Sequence, residues 1–275
     1  MSEHPRALAA ADAAQLVGLS RKANWNQTER DWERVIELEP EGCFGIEIGG
    51  RIVSTTTTIC YGRELAWIGM VLTDPEFRGR GLARRLMRHA LEYVFRAGIA
   101  WIKLDATDMG RPLYRSLGFE EENPIERWMR PPAESGEPRS AALGAFEMDE
   151  DLDRKAFGAG RRRLLERLAS DGAVSLPGGF GMGRNGANAA YFGPCVARSA
   201  AEARTMLGWF LAPHSARTMY WDLLPANEDA VRLARESGFE VERRLVRMSL
   251  RGPAAAAPLD HDDGLVFAIA GFEFG

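Results

Sequence analysis

The residues best suited to chemistry are Arg78-Gly79-Arg80-Gly81-Leu82-Ala83, at the mouth of a helix-like pattern that continues with Arg84, Arg85 and Arg88. Two glycines without Cβ let a ligand approach the backbone closely. The first N–H groups of a helix and its dipole favour an anion there, and the arginines add positive charge. The stretch therefore reads as a site for a phosphate-bearing ligand. On charge pattern alone, a solvated basic helix start reads as well. It is not a Walker A loop, because no Gly-Lys-Ser/Thr follows, and Arg84 stands where a third glycine of G-x-G-x-x-G would be. Gly181 to Gly186, GMGRNG, does match G-x-G-x-x-G formally, but a strand-like run follows it instead of a helix, so it reads as part of a hairpin. Cys43, Cys60 and Cys195 have no histidine in a motif, and the four histidines lack ligand spacing, so neither a covalent thiol intermediate nor a metal is expected.

Elements that must position the loop can be read around it. Asp12 and Gln15 suggest a capping box before an Ala/Leu-rich helix, and QTERDWERVIEL suggests a second helix. CFGIEIGGRIVSTTTTI is two β-prone runs about Gly49-Gly50, a hairpin signal. LAWIGMVLT reads as a central strand buried on both faces, and Leu82, Leu86, Met87, Leu91, Val94 and Phe95 recur at helical spacing. IAWIKLDAT is a further buried strand, and PLYRSLGF a short helix stopped by Gly118. His89, among arginines on the helix, reads as solvated.

With 275 residues, 45% hydrophobic and 27% charged, the chain has the length and composition of about two globular domains. The net charge of -4 argues against a nucleic-acid partner. Scattered, odd-numbered cysteines and a beginning without a leader pattern point to a cytoplasmic, reducing setting. LVFAIAGF is too short to span a membrane. The second half reads as a worn copy of the first: LYRSLGFE matches LARESGFE, Trp67-Ile68-Gly69 matches Tyr191-Phe192-Gly193, and Asp105 matches Asp222, in the same order. The expected division is a first domain over 1–132, a linker over 133–144 and a second domain over 145–275.

The sequence RGRGLA fits Arg/Gln-x-x-Gly-x-Gly/Ala, with Arg78, Gly81 and Ala83 in the key places, and LYRSLGF follows at a spacing that resembles the second motif of the GNAT N-acetyltransferase superfamily. The resemblance covers residues 6 to 130. The second half resembles the accessory domain of tandem GNAT proteins. The fold class implied is α/β (mixed α+β): two GNAT-like domains, each a twisted, mixed, mostly antiparallel sheet flanked by helices. The activity implied is direct acetyl transfer from acetyl-CoA, the co-substrate, to a small-molecule or peptide amine, by a monomer or homodimer without a metal. A non-catalytic acyl-CoA sensor and a structural scaffold are the rival readings.

The resemblance assigns strand N–H groups near Met70, Val71 and Leu72 to the thioester carbonyl and pantetheine, and those of Arg78, Gly79, Arg80, Gly81, Leu82 and Ala83 to the pyrophosphate. Tyr114 matches the tyrosine near the CoA sulfur, where a phenol can protonate a thiolate. Asp105 aligns with a glutamate that acts as general base in ribosomal-protein acetyltransferases. It is shorter than glutamate and its strand-to-helix connection is shorter too, so capping of the next turn is the competing role. Thr107 stands near the family's usual asparagine. Trp25, Asn26 and Trp32 fall where the family's first two helices wall the acceptor pocket, although aromatic residues on helices more often pack a core. In the second half the loop is RSAAEA, Arg198 to Ala203, without glycines and with Glu202; Pro194 replaces Met70, Ala234 replaces Tyr114, and Asn227 and Ala230 keep the family's Asn-x-x-Ala. A second domain that keeps the fold and loses acetyl-CoA is the expectation.

Overall fold

The computed structural model describes residues 4–133 and 146–275. The linker expected over 133–144 lies outside the described residues except for Ala133. Two compact units form, and they interleave along the chain instead of dividing into 1–132 and 145–275. The first comprises residues 1–120, 248–258 and 272–275, and the second residues 121–247 and 259–271.

The first unit runs β1 (Arg6–Ala7), α1 (Ala13–Lys22), α2 (Glu29–Leu38), β2 (Phe44–Ile48), β3 (Arg51–Tyr61), β4 (Leu65–Thr73), α3 (Leu82–Arg96), β5 (Trp101–Ala106) and α4 (Arg111–Arg115). Its sheet order is β1-β2-β3-β4-β5, antiparallel except for the parallel β4–β5 pair. Residues 248–251 lie on the far side of β5, where the Gly252 N–H donates to Ala100 O at 2.7 Å. Gly49 and Gly50 carry φ of 62° and 77° in the β2–β3 turn, the left-handed conformation that such a tight hairpin needs.

The expected Asp12–Gln15 capping box does not form. Asp12 accepts from the Ala9 N–H and pairs with Arg6, while Gln15 Oε1 accepts from Ile52 N–H. The reciprocal cap belongs to α2. There the Thr28 N–H donates to Asp31 Oδ2 at 2.8 Å and the Asp31 N–H to Thr28 Oγ1 at 3.3 Å. Trp32 is wholly buried, and its indole N–H donates to Ser20 Oγ at 2.9 Å, locking α2 to α1.

The second unit repeats the plan. After β6 (Glu120–Arg130), α5 (Glu150–Phe157) and α6 (Arg162–Ala169) come β7 (Ala173–Leu176), β8 (Gly179–Asn185), β9 (Ala190–Ala197), α7 (Ala200–His214), β10 (Met219–Leu223), α8 (Glu228–Glu236), β11 (Glu240–Arg251) and β12 (Val266–Ala268). β9 and β10 are parallel, like β4 and β5, with a 15-residue helix between them in each unit. β10 pairs antiparallel with β6. Gly181 and Gly183 of GMGRNG lie in β8, in a hairpin as expected, and Gly186 follows the strand. A Cβ on Gly183 would stand 2.4 Å from the Phe210 ring of α7, so the glycine there is a packing residue.

The turn after β4 is anchored by Asp74, which is buried. Its carboxylate accepts from Lys22 Nζ at 2.6 Å, from Arg51 at 3.1 Å and from the Glu76 N–H at 3.1 Å, capping a single turn at Pro75–Phe77. Burial opposes ionisation of Asp74, but the Lys22 and Glu76 hydrogen bonds and the charges of Lys22 and Arg51 outweigh it. The carboxyl is held below its ordinary 3.8. Its stabilising contribution is therefore complete above that value and is lost as pH falls through the lower folded value.

Two stability measurements follow. Trp32→Ala leaves a core cavity and should cost about 3–5 kcal/mol in denaturant unfolding. Asp74→Asn should cost about 1–3 kcal/mol at pH 7. In a melt series taken into acid, the gap between Asp74→Asn and the parent should close as the parent's own carboxyl protonates.

Candidate active site

The site is built where β4 leaves the regular ladder. Thr55 pairs with Leu72 but Thr57 pairs with Gly69, so Met70 and Val71 together oppose Thr56. This is a β-bulge, with Met70 at φ 46°, and such an insertion bends the strand that carries it. The Met70 carbonyl accepts instead from Thr55 Oγ1 at 2.8 Å, and Leu72 O from Ser54 Oγ at 3.0 Å. On the other edge of β4, the parallel register with β5 covers Leu65 to Trp67 against Trp101 to Lys103 and does not continue. β4 runs on to Thr73 and β5 to Ala106, so the two strands part after Trp67 and Lys103, shortly before the bulge. Backbone groups of Met70, Val71 and Leu72 lie along the resulting split. A split at the carboxyl ends of adjacent parallel strands is a common place for a ligand.

The loop that leaves β4 supplies the anion end. Gly79 and Gly81 have φ of 78° and 74°, with open space where a Cβ would be. Gly81 is the N-cap of α3 and offers no side chain to the first-turn N–H groups, which have no partner within the helix. Arg78 Nε donates to Thr73 O, the Arg80 guanidinium sits 4.8 Å from the Phe77 ring centre, and Arg84 donates to Ser116 Oγ. Leu82 points into the core and Ala83 is half-buried. A cavity of about 350 Å³ opens beside Gly81, lined by His4, Pro5, Arg84, Arg85, Arg88 and Glu92 among others. His89 also lines it and is not simply solvated, because its ring meets Phe44 edge-on at 4.5 Å. Open glycines, an uncapped helix start and adjoining arginines fit a phosphate-bearing group.

The helix that leaves β5 carries Tyr114. The phenol is buried beside Phe119 and packs against Gly110, where a Cβ would stand 2.8 Å from the ring. Its hydroxyl has no hydrogen-bond partner among the described residues, and burial pushes its pKa well above the ordinary 10. It therefore stays protonated at neutral pH. Asp105 is half-buried near the end of β5. The turn that follows is ordered by Thr107, whose carbonyl and hydroxyl accept from the Gly110 N–H.

The acceptor wall differs from expectation. Trp32 is core, tied to Ser20, and lines no open surface. Trp25 is half-buried and Asn26 buried in the connection between α1 and α2. Sequence reasoning missed Gln27, next to Asn26, which donates to Glu273 Oε2 at 2.9 Å. No local signal could have joined residues that far apart. Burial also pushes the Cys43 and Cys60 thiols up to about 12 and that of Cys195 higher, which disfavours a nucleophilic thiolate. Among the described residues, no cluster of His, Cys, Asp or Glu is placed to hold a metal ion.

The second unit has the same bulge in different use. Gly181 pairs with Cys195 and Gly183 with Phe192, so Gly193 stands where Met70 stands and Pro194 where Val71 stands, one residue off the expected match of Pro194 to Met70. Here β12 lies against the freed edge, pairing Val266 with Val196 and Ala268 with Cys195. It is fixed by the Trp221 indole donating to Phe267 O, by Asn227 donating to Val266 O and by the Ile269 N–H donating to Asp222 O. Asp222 is itself clamped by Arg127 through bonds of 2.8 and 2.6 Å. The start of α7 is capped by Ser199, which accepts from Glu202 N–H.

Residues 11–119 match the acetyltransferase (GNAT) family and residues 150–263 match an acetyltransferase (GNAT) domain. An uncharacterised N-acetyltransferase of Methanocaldococcus jannaschii is 29% identical over 40% of this chain and 52% of its own length. The chain spans about half the length of the curated relatives it matches. A putative acetyltransferase from Pyrococcus horikoshii shares the fold, with a TM-score of 0.83 at 24% identity over 98% of this chain and 95% of that one. A tandem GNAT protein from the clavulanic acid biosynthesis pathway does so with a TM-score of 0.63 at 16% identity over 93% and 99%. No described helix is long and apolar enough to cross a membrane. With both units matched, the chain belongs to the GNAT acetyltransferase family as a tandem-domain member.

Proposed function

We propose that this chain is an acetyl-CoA-dependent N-acetyltransferase that uses its first unit as the single cofactor-binding unit. The observation that carries the reading is the open β4–β5 split running into the uncapped start of α3. N–H groups along Met70, Val71 and Leu72 would hold pantetheine and polarise the thioester carbonyl, a preset dipole of the kind that contributes much to acyl transfer. N–H groups of the 78–83 loop would take the pyrophosphate. The amine nitrogen, freed of a proton, attacks the thioester carbon, the carbon–sulfur bond breaks, and the departing sulfur receives the Tyr114 proton. Asp105 remains the candidate to accept the amine's proton, through water. The raised thiol pKa values support direct transfer over an acyl-cysteine intermediate.

The second unit would bind no acyl-CoA, since its own β12 and the Ser199 cap take the places of pantetheine and phosphate. A sensor without turnover would need the same slot. The unpartnered Tyr114 phenol favours the enzyme.

Gly81→Glu should abolish acetyl-CoA binding in calorimetric titration, whereas Ala201→Glu should leave it intact with one site per chain. Equal losses would overturn the one-site assignment. Tyr114→Phe keeps the ring and removes the donor, so turnover should fall by about 10²–10⁴. Its dissociation constant for acetyl-CoA should stay within about threefold, with a melt confirming the fold. An unchanged rate in the folded variant would falsify the acid role.

A further inference from the structure

The arginines around the phosphate loop outnumber what the loop itself requires. Between Glu76 and Glu92 the sequence carries five arginines and no acid, in a chain of net charge -4. A pyrophosphate held by backbone N–H groups at the start of α3 needs none of their side chains. Arg78 and Arg80 turn to Thr73 O and to the Phe77 ring. Arg84, Arg85 and Arg88 instead line the cavity that begins at Gly81. Steps of three and four residues put Gly81, Arg84, Arg85 and Arg88 on one face of the helix, in a row leading away from the loop. At 1.5 Å per residue, Arg85 and Arg88 stand about 6 and 10 Å along the axis from Gly81. Arg84 gives one guanidinium nitrogen to Ser116, whereas Arg88 makes no hydrogen bond or ion pair among the described residues. Glu92 is the one carboxylate in the lining. The volume of about 350 Å³ is that of a small-molecule site.

We propose that this groove is a second anion site, in which Arg85 and Arg88 hold the 3′-phosphate of the CoA adenosine and so select CoA over acyl donors that lack that phosphate. The proposal rests on the acetyltransferase reading and extends it from the pantetheine and pyrophosphate to the far end of the donor. The 3′-phosphate sits on the ribose next to the pyrophosphate, so it must lie against a surface that adjoins the loop. The groove adjoins the loop at Gly81. A phosphate monoester carries about −1.5 to −2 charge near neutral pH and three acceptor oxygens. Three arginines against one glutamate supply the matching excess of positive charge. A guanidinium fork pairs two N–H groups with two phosphate oxygens, which gives geometry as well as charge. A concave site of this size suits a single small group. The acidic surface of a partner protein would need a far broader patch. His89, held edge-on by Phe44, keeps that part of the lining in place. Arg85 and Arg88 are binding residues and take no part in bond breaking.

The test uses the full chain and two donors that differ only in that group, acetyl-CoA and acetyl-dephospho-CoA, in calorimetric titration. The parent should bind acetyl-CoA about 10- to 100-fold more tightly, as for hydrogen bonds to a charged group. Arg88→Gln should lose about tenfold for acetyl-CoA and leave acetyl-dephospho-CoA unchanged, and Arg85→Gln with Arg88→Gln should abolish the preference. Arg96→Gln, on the same helix outside the cavity, should keep it. Adenosine 3′,5′-bisphosphate should compete with acetyl-CoA better than adenosine 5′-phosphate does in the parent, and no better in the double variant. Inorganic phosphate competing as well as the bisphosphate would assign the groove to free phosphate and overturn the proposal. Equal affinity of the parent for the two donors also overturns it and leaves the transferase standing, and that comparison needs no variant to fold. Variants that weaken both donors alike show only a general field of positive charge and overturn it too. Binding of neither donor overturns the acetyltransferase reading with it.

Discussion

One residue too many in β4 sets the terms for the first unit. The strand that accommodates Met70 and Val71 opposite Thr56 pairs with β5 only as far as Trp67. Once the strands part, buried N–H and C=O groups lose their ladder partners, and such groups must be paired. The second unit meets the same constraint at Gly193-Pro194 by laying its own β12 on the free edge. In the first unit no described strand is laid on that edge. One backbone defect is thus closed by a strand in one copy and left open in the other.

The threonine run of β3 is the companion to this defect. Thr55 and Ser54 turn their hydroxyls onto the carbonyls of Met70 and Leu72 and so hold the bulge in shape. Thr56 reaches Met87 of α3 on the opposite face. Thr57 and Thr58 keep buried hydroxyls with no partner among the described residues, each a cost of roughly 1–3 kcal/mol that valine would remove. Violations of local rules of this kind are expected at functional sites. Thr57 lies on the Gly69 face, which the Glu273 backbone covers.

How much of this could be read in advance depended on sequence distance. The RGRG loop, the Gly49-Gly50 hairpin and the amphipathic α3 were legible because their signals are local: left-handed glycines at a turn, or a 3.6-residue period. GMGRNG was correctly kept apart from a phosphate loop because a strand-like run follows it. The α2 cap was missed because its N3 residue is Asp31, not the usual Glu or Gln. Trp32 was ambiguous because an aromatic residue on a helix gives no sign of which neighbour covers it. The run LVFAIAGF gave no hint that β12 would pair with β9. Gln27 and Glu273 meet across nearly the whole chain, through a contact that no periodicity encodes.

That last contact bears on why the chain keeps a second half. The first unit is not a contiguous fragment: residues 248–258 and 272–275 belong to it. They supply the strand beside β5, the Ala257 carbonyl that takes the Trp101 indole N–H, and the cover over Gly69. A chain ending after α4 would leave an edge on β5 exposed, together with the indole N–H groups of Trp67 and Trp101. Residues 121–247 intervene before those pieces arrive, so the worn copy is the route by which the first unit is completed. In that copy the bulge is lined by its own β12, Asp222 is clamped by Arg127, and α7 is capped by Ser199.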